Sequence, residues 1–451
     1  MKIPPLFKDQ ETSLKFEETN NIVFDMSEPG TGKTRVRLEA FAKRRARKGG
    51  CALVIAPKSI LDVAWEADCK RYTPWLKISC AYAENREAAF AIDADIYVTN
   101  HDAVKWLAKQ PPAFFRKFET LIIDESGAFK HHTSQRSKAI NKIKKHFKIR
   151  IAMNGTPMAI SVLDTWNQAF ILDDGKRLGK SYFAFRQAVC NPIQQGRSAN
   201  MIKWVDKPGA ETVVADLLKD ISLRHELQGL PANANYPVSF VLPPKQRRAY
   251  EEMEKTAVLS VLKGEVKALN AAAVRTKLLQ IASGAVYENE DVYHVIDDSR
   301  YKLIADLVEA RKFCVVFFHW KHQRDLLIKE FDIRGVTHVT LDGDVTSRKA
   351  KREAVQEYQG GFYKVVLAHP QSAAHGLTLT KGTSTIWASP TPNLEHWLQG
   401  NKRIYRSGQT EKTETVNVLA KDTLEEHVYN DVLMGRKDGL ESFLDYLKGR
   451  K

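Results

Sequence analysis

The sequence predicts an α/β protein of two tandem domains, each built around a parallel β-sheet. Short apolar, β-branched runs alternate with longer segments of helical periodicity, which is typical of parallel strands covered by helices on both faces. A helical stretch at 242–269 separates these runs into two sets. The predicted strands are 21–26, 51–57, 95–100, 120–125 and 150–155 in the first set, and 313–320, 336–343, 363–370, 384–389 and 413–420 in the second.

Chain length and this division set the predicted domain boundaries. The 451 residues exceed one ordinary core, and a length of roughly 150 residues per domain indicates about two to three domains. We predict an N-terminal domain at 1–235, a helical linker region at 236–299 and a C-terminal domain at 300–451.

Composition indicates a globular protein with an anionic partner. Lys and Arg total 69 against 54 Asp and Glu, and this formal charge of +15 favours a polyanion. The alternative is a basic surface that binds nothing. The five cysteines are scattered without a C-x-x-C pair, which argues against a disulfide framework or a zinc site and favours a reducing, intracellular compartment. No run approaches the ~18 apolar residues of a membrane span, so we expect no membrane segment.

A phosphate-binding loop is predicted at 27–34, where SEPGTGKT follows the first strand and precedes a helix that ends at Gly49-Gly50. The glycines permit a tight turn whose backbone N–H groups face phosphate oxygens, while Lys33 reaches the β- and γ-phosphates and the Thr34 hydroxyl ligates Mg²⁺. The alternative is a chance GKT in a surface turn. The predicted nucleotide-binding residues of this phosphate loop are Ser27, Glu28, Pro29, Gly30, Thr31, Gly32, Lys33 and Thr34.

An acidic pair follows another apolar run, in LIIDESGAFK at 121–130. Open α/β folds bind ligands at the carboxyl edge of the sheet, where such a pair would lie. Asp124 is predicted to hold Mg²⁺, and Glu125 to act as general base toward the attacking water. Thr156, in the turn after the next predicted strand, is predicted to sense the γ-phosphate. The alternative for one acid alone is a solvated strand end.

A basic segment without acids, QGNKRIYRSGQ, lies late in the chain at 399–409. Gln399, Arg403 and Arg406 fall at i, i+4 and i+7, which predicts that they share one face of a helix. Guanidinium groups suit phosphate, because one group bonds two oxygens at once. The alternative is a basic helix on the surface.

These motifs resemble, in order, those of the superfamily-two helicase and translocase ATPases, and more narrowly the Swi/Snf-type double-stranded DNA translocases. The resemblance covers nearly the whole chain and implies two RecA-like domains with parallel sheets that close over one ATP, with Mg²⁺ as cofactor. Further matching segments are LFKDQ (6–10), VIAPKSILDVAWEADCKRY (54–72), VTNHDA (98–103), LDGDVTSRKAKREAVQEY (341–358), HPQSAAHGLTLT (369–380) and LEHWLQGNKRIYRSGQ (394–409).

The resemblance also implies roles for individual residues. Gln10 matches the glutamine that reads adenine, and Gly376 is assigned to the nucleotide site. Arg403 and Arg406, with Gln399 on the same predicted helix, would act as arginine fingers on the γ-phosphate. The implied nucleic-acid contacts are Lys58, Ser59, His101 and Ser372.

The chain departs from the family after its acidic pair. The family usually has Asp-Glu-Ala-His, whereas Ser126 and Gly127 follow Asp124 and Glu125 in this chain. The histidine helps to link ATP state to the rest of the motor, so its loss affects that link while the two acids keep the chemistry.

The functional hypothesis is a DNA-dependent ATPase that translocates along duplex or branched DNA and remodels or unwinds it. Two alternatives are an RNA helicase, which the R-x-x-R-x-G-Q form argues against, and a nucleotide-gated DNA clamp with little turnover. The lack of visible accessory modules points to a compact bacterial or phage form in the cytoplasm of a bacterial or phage-infected cell. A protein partner is left open.

Overall fold

The chain divides into two compact units, Met1–Gln228 with Arg436–Lys451, and Gly229–Gly435. The computed structural model describes residues 3–194, 201–262, 268–289, 291–342, 348–373 and 377–448. The segments 1–235, 236–299 and 300–451 stay a prediction of domain organisation. The two units divide the chain at other positions, because the last segment of the sequence belongs to the first unit.

The first unit contains a parallel sheet and a separate hairpin. Its strands are β1 (Ile22–Asp25), β2 (Cys51–Ala56), β3 (Ile78–Ala81), β4 (Ile96–Asn100), β5 (Phe118–Asp124), β6 (Ile149–Met153), β7 (Cys190–Gln194), β8 (Ile202–Asp206) and β9 (Ser222–Leu223). Among the described residues the sheet has the order β3-β4-β2-β5-β6-β1-β9, and all its neighbouring strands are parallel. β7 and β8 form the antiparallel hairpin.

Helices cover both faces of this sheet. They are α1 (Lys8–Thr19), α2 (Lys33–Lys48), α3 (Ala67–Tyr72), α4 (Arg86–Ala91), α5 (Val104–Leu107), α6 (Gln135–Ile143), α7 (Leu163–Asp173), α8 (Tyr182–Val189) and α9 (Ala210–Leu218). Successive side chains of one strand enter different cores: Leu53 and Ile55 of β2 pack in one, and Ala52 and Val54 pack in the other. Burial on both faces explains why the strands are nearly continuous apolar runs.

The second unit has its own parallel sheet, in the order β10-β17-β16-β13-β15-β14 among the described residues. Its strands are β10 (Asn233–Phe240), β11 (Ala285–Tyr287), β12 (Tyr293–Val295), β13 (Cys314–Phe317), β14 (His338–Leu341), β15 (Val365–Ala368), β16 (Ser384–Trp387) and β17 (Thr413–Ala420). Its helices are α10 (Pro244–Leu262), α11 (Ala268–Ala282), α12 (Ser299–Glu309), α13 (Lys321–Arg334), α14 (Arg348–Gly360), α15 (Pro370–Ala373), α16 (Leu394–Asn401) and α17 (Leu424–His427).

The predicted α/β class with two parallel sheets is confirmed, and each of the ten predicted strands overlaps an observed one. The prediction missed β10, which pairs with β17 along its whole length as an edge of the second sheet. Tyr236, Val238 and Phe240 pack on the core of that unit. Pro237 interrupts the apolar pattern, and proline is tolerated on an edge strand because its missing N–H is not needed for the ladder.

The last described helix, α18 (Gly435–Lys448), returns to the first unit. Leu440, Phe443 and Leu444 are buried. The Tyr446 hydroxyl donates a 3.0 Å hydrogen bond to Asp216 Oδ1 at the end of α9. Contact with this unit therefore involves both apolar packing and a specific polar bond.

Two further findings concern the helices and the cysteines of the chain. None of the helices in the described part combines the length and the apolar composition that crossing a membrane requires. The five cysteines are free thiols.

Gly400 provides a test of how α16 is seated on the second sheet. A Cβ on Gly400 would lie 2.9 Å from Trp387 Cζ2 and 3.0 Å from the Phe317 ring. Gly400→Ala is therefore expected to lower the free energy of unfolding by about 1–3 kcal/mol through overpacking. Denaturant unfolding followed by tryptophan fluorescence measures it.

Gly435→Ala is the matched control for this substitution. Gly435 is exposed and helical, and no atom lies within 4 Å of an added Cβ, so the same change should be neutral or slightly stabilising. Equal stability of the two variants would contradict the packing described for α16.

Candidate functional site

The carboxyl ends of parallel strands bring the predicted site of the first unit together. Because β4, β2, β5, β6 and β1 are successive neighbours, the segments that follow them meet at one edge of the sheet. These segments contain His101, Lys58 with Ser59, Asp124 with Glu125, Thr156, and the phosphate loop, in that strand order.

The phosphate loop turns at two glycines. Gly30 and Gly32 have φ values of 93° and 81°, in the left-handed region that side chains rarely adopt. A Cβ on Gly32 would lie 2.1 Å from Nε2 of Gln10, so a larger residue there would displace that side chain. α2 begins at Lys33, and the first-turn N–H groups of a helix lack partners within the helix. Thr34 lies in this first turn. Its hydroxyl is therefore close to the backbone N–H groups of that turn, which suit phosphate.

Lys33 turns back over the phosphate loop. Its Nζ donates to the carbonyl oxygens of Ser27 and, at 3.2 Å, of Glu28. The buried carboxylate of Asp25 accepts a 2.9 Å hydrogen bond from the Ser27 N–H. Burial by itself raises the pKa of Asp25, but the positive charges of Arg37 and Lys33 outweigh it and hold that pKa below its ordinary value.

A buried ion cluster joins α1, β1 and α2. Arg37 is fully buried, with Nε 2.9 Å from Glu17 Oε2 and one terminal nitrogen, Nη2, 3.3 Å from Asp25 Oδ2. Arg44 contacts the other oxygen of Glu17 at 2.8 Å. Removing one partner of such a pair leaves an uncompensated buried charge, which costs about 3–5 kcal/mol. The cluster therefore fixes the strand and helix that flank the phosphate loop.

Gln10 lies against the phosphate loop. Its side chain is almost fully buried; Nε2 donates to Thr31 O at 3.2 Å, and Oε1 accepts from the Phe7 N–H at 3.1 Å. The amide is thus held at the N-terminal end of α1, against the phosphate loop. The predicted contact of Gln10 with adenine stays a prediction.

Residues 222–227, which we call the bracing segment, support the phosphate loop from a distant part of the sequence. Its strand β9 pairs with β1. The Glu28 N–H donates to His225 O at 2.9 Å, and the His225 N–H donates to Ser27 Oγ at 3.0 Å. Ser27 stands where phosphate loops of the G-x-x-x-x-G-K-[ST] type have their first glycine, and its hydroxyl makes this contact. The sequence analysis placed this segment in the N-terminal domain but predicted no strand there, since a two-residue strand leaves no periodic signal.

The acidic pair lies at the end of β5. Asp124 is 8% exposed, and its Oδ2 accepts a 3.0 Å hydrogen bond from Trp65 Nε1. Burial raises the pKa of Asp124, while the charge of Lys33 acts in the opposite direction. Glu125 has φ 52°, a left-handed backbone that is unusual for a residue with a side chain. Backbone strain of this kind clusters at active sites.

The turn after β6 contacts the phosphate loop directly. A Cβ on Gly155 would lie 3.0 Å from Pro29 Cδ. Thr156 is 8% exposed, and its N–H donates to Asn154 Oδ1 at 3.0 Å. Thr156 is thereby held in the turn that abuts the phosphate loop.

The predicted nucleic-acid contacts of this unit differ in exposure. Lys58 and Ser59 are exposed in the short turn after β2, where they are accessible to a partner. His101 Nε2 lies 2.8 Å from Asp124 O, and its ring meets Phe129 edge-on. Burial lowers the pKa of His101 to about 4, so the ring is neutral at pH 7. Its predicted contact with nucleic acid stays a prediction.

The basic segment of the second unit does not form the single helix face that its spacing predicts, and that prediction is wrong. α16 ends at Asn401, so Gln399 is helical while Arg403 and Arg406 lie in the turns that follow. The Arg403 N–H bonds back three residues to Gly400 O at 3.0 Å, which tightens the last turn and ends the helix.

The two arginines nevertheless converge. Nη1 of Arg403 and Nη1 of Arg406 donate to Leu377 O at 3.2 and 3.0 Å, and Arg403 Nε donates to Gln399 O at 2.8 Å. Burial lowers the pKa of Arg406. Folding therefore gathers two guanidinium groups around one carbonyl without a shared helix.

Other predicted positions of the second unit lie partly outside the described residues. Ser372 is half-buried in α15. Gly376 falls outside the described residues, as do 343–347 of the segment that resembles a motif at 341–358.

Comparison with known proteins places these observations in a family. Residues 13–286 match the family described as "SNF2-related domain". A putative protein, p41, from Acyrthosiphon pisum secondary endosymbiont phage 1 is 28% identical over 443 residues, which cover 93% of this chain and 92% of the phage protein.

Cellular relatives are longer. An uncharacterised ATP-dependent helicase of Mycoplasma genitalium is 22% identical over 84% of this chain, which spans 36% of the helicase. The zebrafish chromodomain-helicase-DNA-binding protein 1-like is 21% identical over 89% of this chain, which spans 40% of that protein. The Sulfolobus solfataricus SWI2/SNF2 ATPase core in complex with double-stranded DNA matches 98% of this chain and 94% of its own at 20% identity, with a TM-score of 0.45.

The neutral state of His101 has a consequence for acid stability. Its pKa is about 4 in the folded protein against about 6.5 unfolded, so the unfolded chain binds the proton first and stability falls as pH drops from about 6.5 to 4. His101→Asn removes this loss. As pH falls over that range, the free energy of unfolding of the unmodified chain should therefore decrease by about 3 kcal/mol more than that of this variant. Denaturant titrations at each pH measure both values.

His131→Asn serves as the control, because His131 is exposed. Its stability curve should run parallel to that of the unmodified chain. Parallel curves for His101→Asn as well would mean that the His101 ring takes up protons freely and is not held neutral.

Proposed function

This chain belongs to the SNF2-related family, and we propose that it is a DNA-dependent ATPase that translocates along duplex or branched DNA. The observation that carries the proposal is the convergence of Lys33, the Asp124-Glu125 pair and the Thr156 turn around one glycine-rich loop. These are the groups that ATP hydrolysis needs: phosphate donors, a metal ligand and a base. The relatives named as helicases support the same activity.

The phosphate loop would bind the phosphates of ATP. Lys33 Nζ, which bonds loop carbonyl oxygens of Ser27 and Glu28, would transfer its donors to the β- and γ-phosphates. The Thr34 hydroxyl and the Asp124 carboxylate are oxygen donors, which fit Mg²⁺, and this ion would neutralise charge on the phosphates. Gln10 would hold adenine at the start of α1.

Glu125 would act as the general base on the attacking water. Its left-handed backbone sets it apart from Asp124 in conformation, which suits two carboxylates with different tasks. Thr156 would respond to the γ-phosphate, because its turn packs against Pro29 of the phosphate loop. Arg403 and Arg406 of the second unit would complete the reaction by stabilising charge on the same ATP, with Gln399 beside them.

DNA would bind mainly through its phosphates. Lys58 and Ser59 are exposed next to the acidic pair, and the chain carries a formal charge of +15. Such binding is tolerant of base sequence and weakens steeply as salt increases. Ser372 and His101 are further candidates, because the family resemblance implies them. Forked DNA and a protein partner are further possibilities within this proposal.

The proposed setting is the reducing cytoplasm of a bacterial or phage-infected cell. The free state of Cys51, Cys69, Cys80, Cys190 and Cys314 supports a reducing compartment. The phage relative, which matches this chain over 92% of its own length, supports a phage or bacterial context.

The first test is ATP hydrolysis by the unmodified chain and by Glu125→Gln, without nucleic acid and with single-stranded, duplex or forked DNA or RNA. We expect duplex or forked DNA to stimulate hydrolysis, and Glu125→Gln to lower kcat by about 10²–10⁴ because the base is lost. The exposed Glu84→Gln is the control and should retain the full rate.

The nucleic acid that stimulates hydrolysis separates the candidate functions. Stimulation by RNA alone would replace the proposal with an RNA helicase. Equal slow rates under every condition, with retained ATP and DNA binding, would favour a nucleotide-gated clamp.

A second test addresses the arginines of the second unit. Arg406→Lys keeps the charge but loses the planar fork that bonds two phosphate oxygens. We expect DNA-stimulated kcat to fall by about 10² or more, with a smaller change in the KM for ATP. Arg334→Lys, which changes an arginine paired with Glu330 on the surface of α13, is the control. A full rate in Arg406→Lys would exclude Arg406 from the reaction.

A further inference from the structure

We propose that Gln168 is a positioning residue that couples the turn carrying Glu125 to the turn carrying Thr156. The inference rests on the proposed function, and it gives the chain an internal link where Gly127 replaces the histidine of related motors. It concerns a buried side chain that the proposed chemistry does not itself use.

One oxygen atom joins the two turns. Gln168 lies on α7 and is fully buried. Its Oε1 accepts a 2.7 Å hydrogen bond from the Ser126 hydroxyl and a 2.8 Å hydrogen bond from Asn154 Nδ2. Ser126 directly follows Glu125, and Asn154 begins the turn that contains Thr156. We call this connection the amide bridge.

The other half of the amide is equally engaged. Gln168 Nε2 donates to Pro157 O and to Asp164 O, both at 2.8 Å. A glutamine amide has two donors and one oxygen with two lone pairs, so all four hydrogen-bonding positions are used. A fully satisfied buried network defines a single geometry, whereas the loss of one partner leaves a costly unpaired group.

The amide bridge continues to the predicted γ-phosphate sensor. Asn154 Oδ1 accepts the Thr156 N–H at 3.0 Å. Ser126, Gln168 and Asn154 are at most 1% exposed, so water does not compete for these bonds. A displacement of the Thr156 turn therefore shifts Asn154, the amide of Gln168 and, through Ser126, the backbone beside Glu125.

The neighbouring residue on α7, Asn167, makes buried contacts that do not connect the two turns. Asn167 Nδ2 donates to Phe129 O at 2.5 Å, and its Oδ1 accepts from Asn141 at 2.9 Å. These bonds connect α7 to the segment after the acidic pair and to α6. They do not involve the turn after β6, which Gln168 contacts at Asn154 and Pro157.

The test uses Ser126→Ala, Gln168→Leu, the double variant and a control in the full chain. Thr165→Val is the control, because it removes a buried hydroxyl of the same helix that bonds only Val162 O at 2.6 Å. The measurements are kcat and the KM for ATP with saturating duplex DNA, and hydrogen exchange of the Thr156 amide without nucleotide.

If the amide bridge couples the two turns, a substitution on one turn should change the behaviour of the other. Ser126→Ala should speed exchange of the Thr156 amide about tenfold, although the altered residue lies on the other turn. Ser126→Ala and Gln168→Leu should each lower kcat about tenfold, with the KM for ATP changed less than about twofold, because positioning of the base is lost while the phosphate loop is intact. Thr165→Val should change none of these.

Three results would overturn the proposal. One is an unchanged Thr156 exchange rate in Ser126→Ala. Another is an unchanged kcat in both single variants. The last is a double variant whose loss equals the product of the single losses, since two members of one bridge should not act independently.

The exchange experiment separates this inference from the proposed function. If the unmodified chain shows no DNA-stimulated hydrolysis, the proposed function fails. Exchange of the Thr156 amide in Ser126→Ala, read against Thr165→Val, still decides whether the two turns are coupled.

Discussion

A guanidinium buried with two carboxylates fixes the strand and the helices around the phosphate loop. Arg37 contacts Glu17 of α1 and Asp25 of β1 from the second turn of α2, and none of the three is more than 1% exposed. The phosphate loop lies between that strand and that helix, so its two ends are fixed relative to each other and to Gln10. Burying a guanidinium is costly unless its carboxylate partners are present. The three side chains are therefore expected to become buried together.

The sequence predicted the sheets well because their physical cause is local. Strands covered on both faces must be apolar at nearly every position, and a run such as CALVIA shows this without knowledge of its partners. β9 and β10 do not carry that signature. β9 has two residues, and β10 is an edge strand with exposed positions and a proline. Each is defined by a partner far along the chain, which local patterns do not reveal.

The candidate site likewise contains residues that local sequence patterns reveal and residues that they do not. The glycines, Lys33 and the acidic pair were recognisable because spacing alone carries their chemistry, although their roles remain proposed. The arginines were placed on a helix that ends too early, since the 3.6-residue period says nothing of the turn at Gly400. The bracing segment and Gln168 gave no signal, because a backbone N–H donor 198 residues away or a buried amide has no motif. Ser126 was noted only as a departure, and its hydroxyl now has a partner.

The return of α18 to the first unit makes the second unit an insertion within the first. During synthesis, the portion that emerges first would therefore be the last to be completed, because residues 436–448 follow the whole of the second unit. Domains usually fold as they leave the ribosome, in order from the N-terminus. Here the half that contains the phosphate loop would wait, with the surface that receives Leu440, Phe443 and Leu444 uncovered, until α18 had been translated. Completion of this half would then depend on translation through α18.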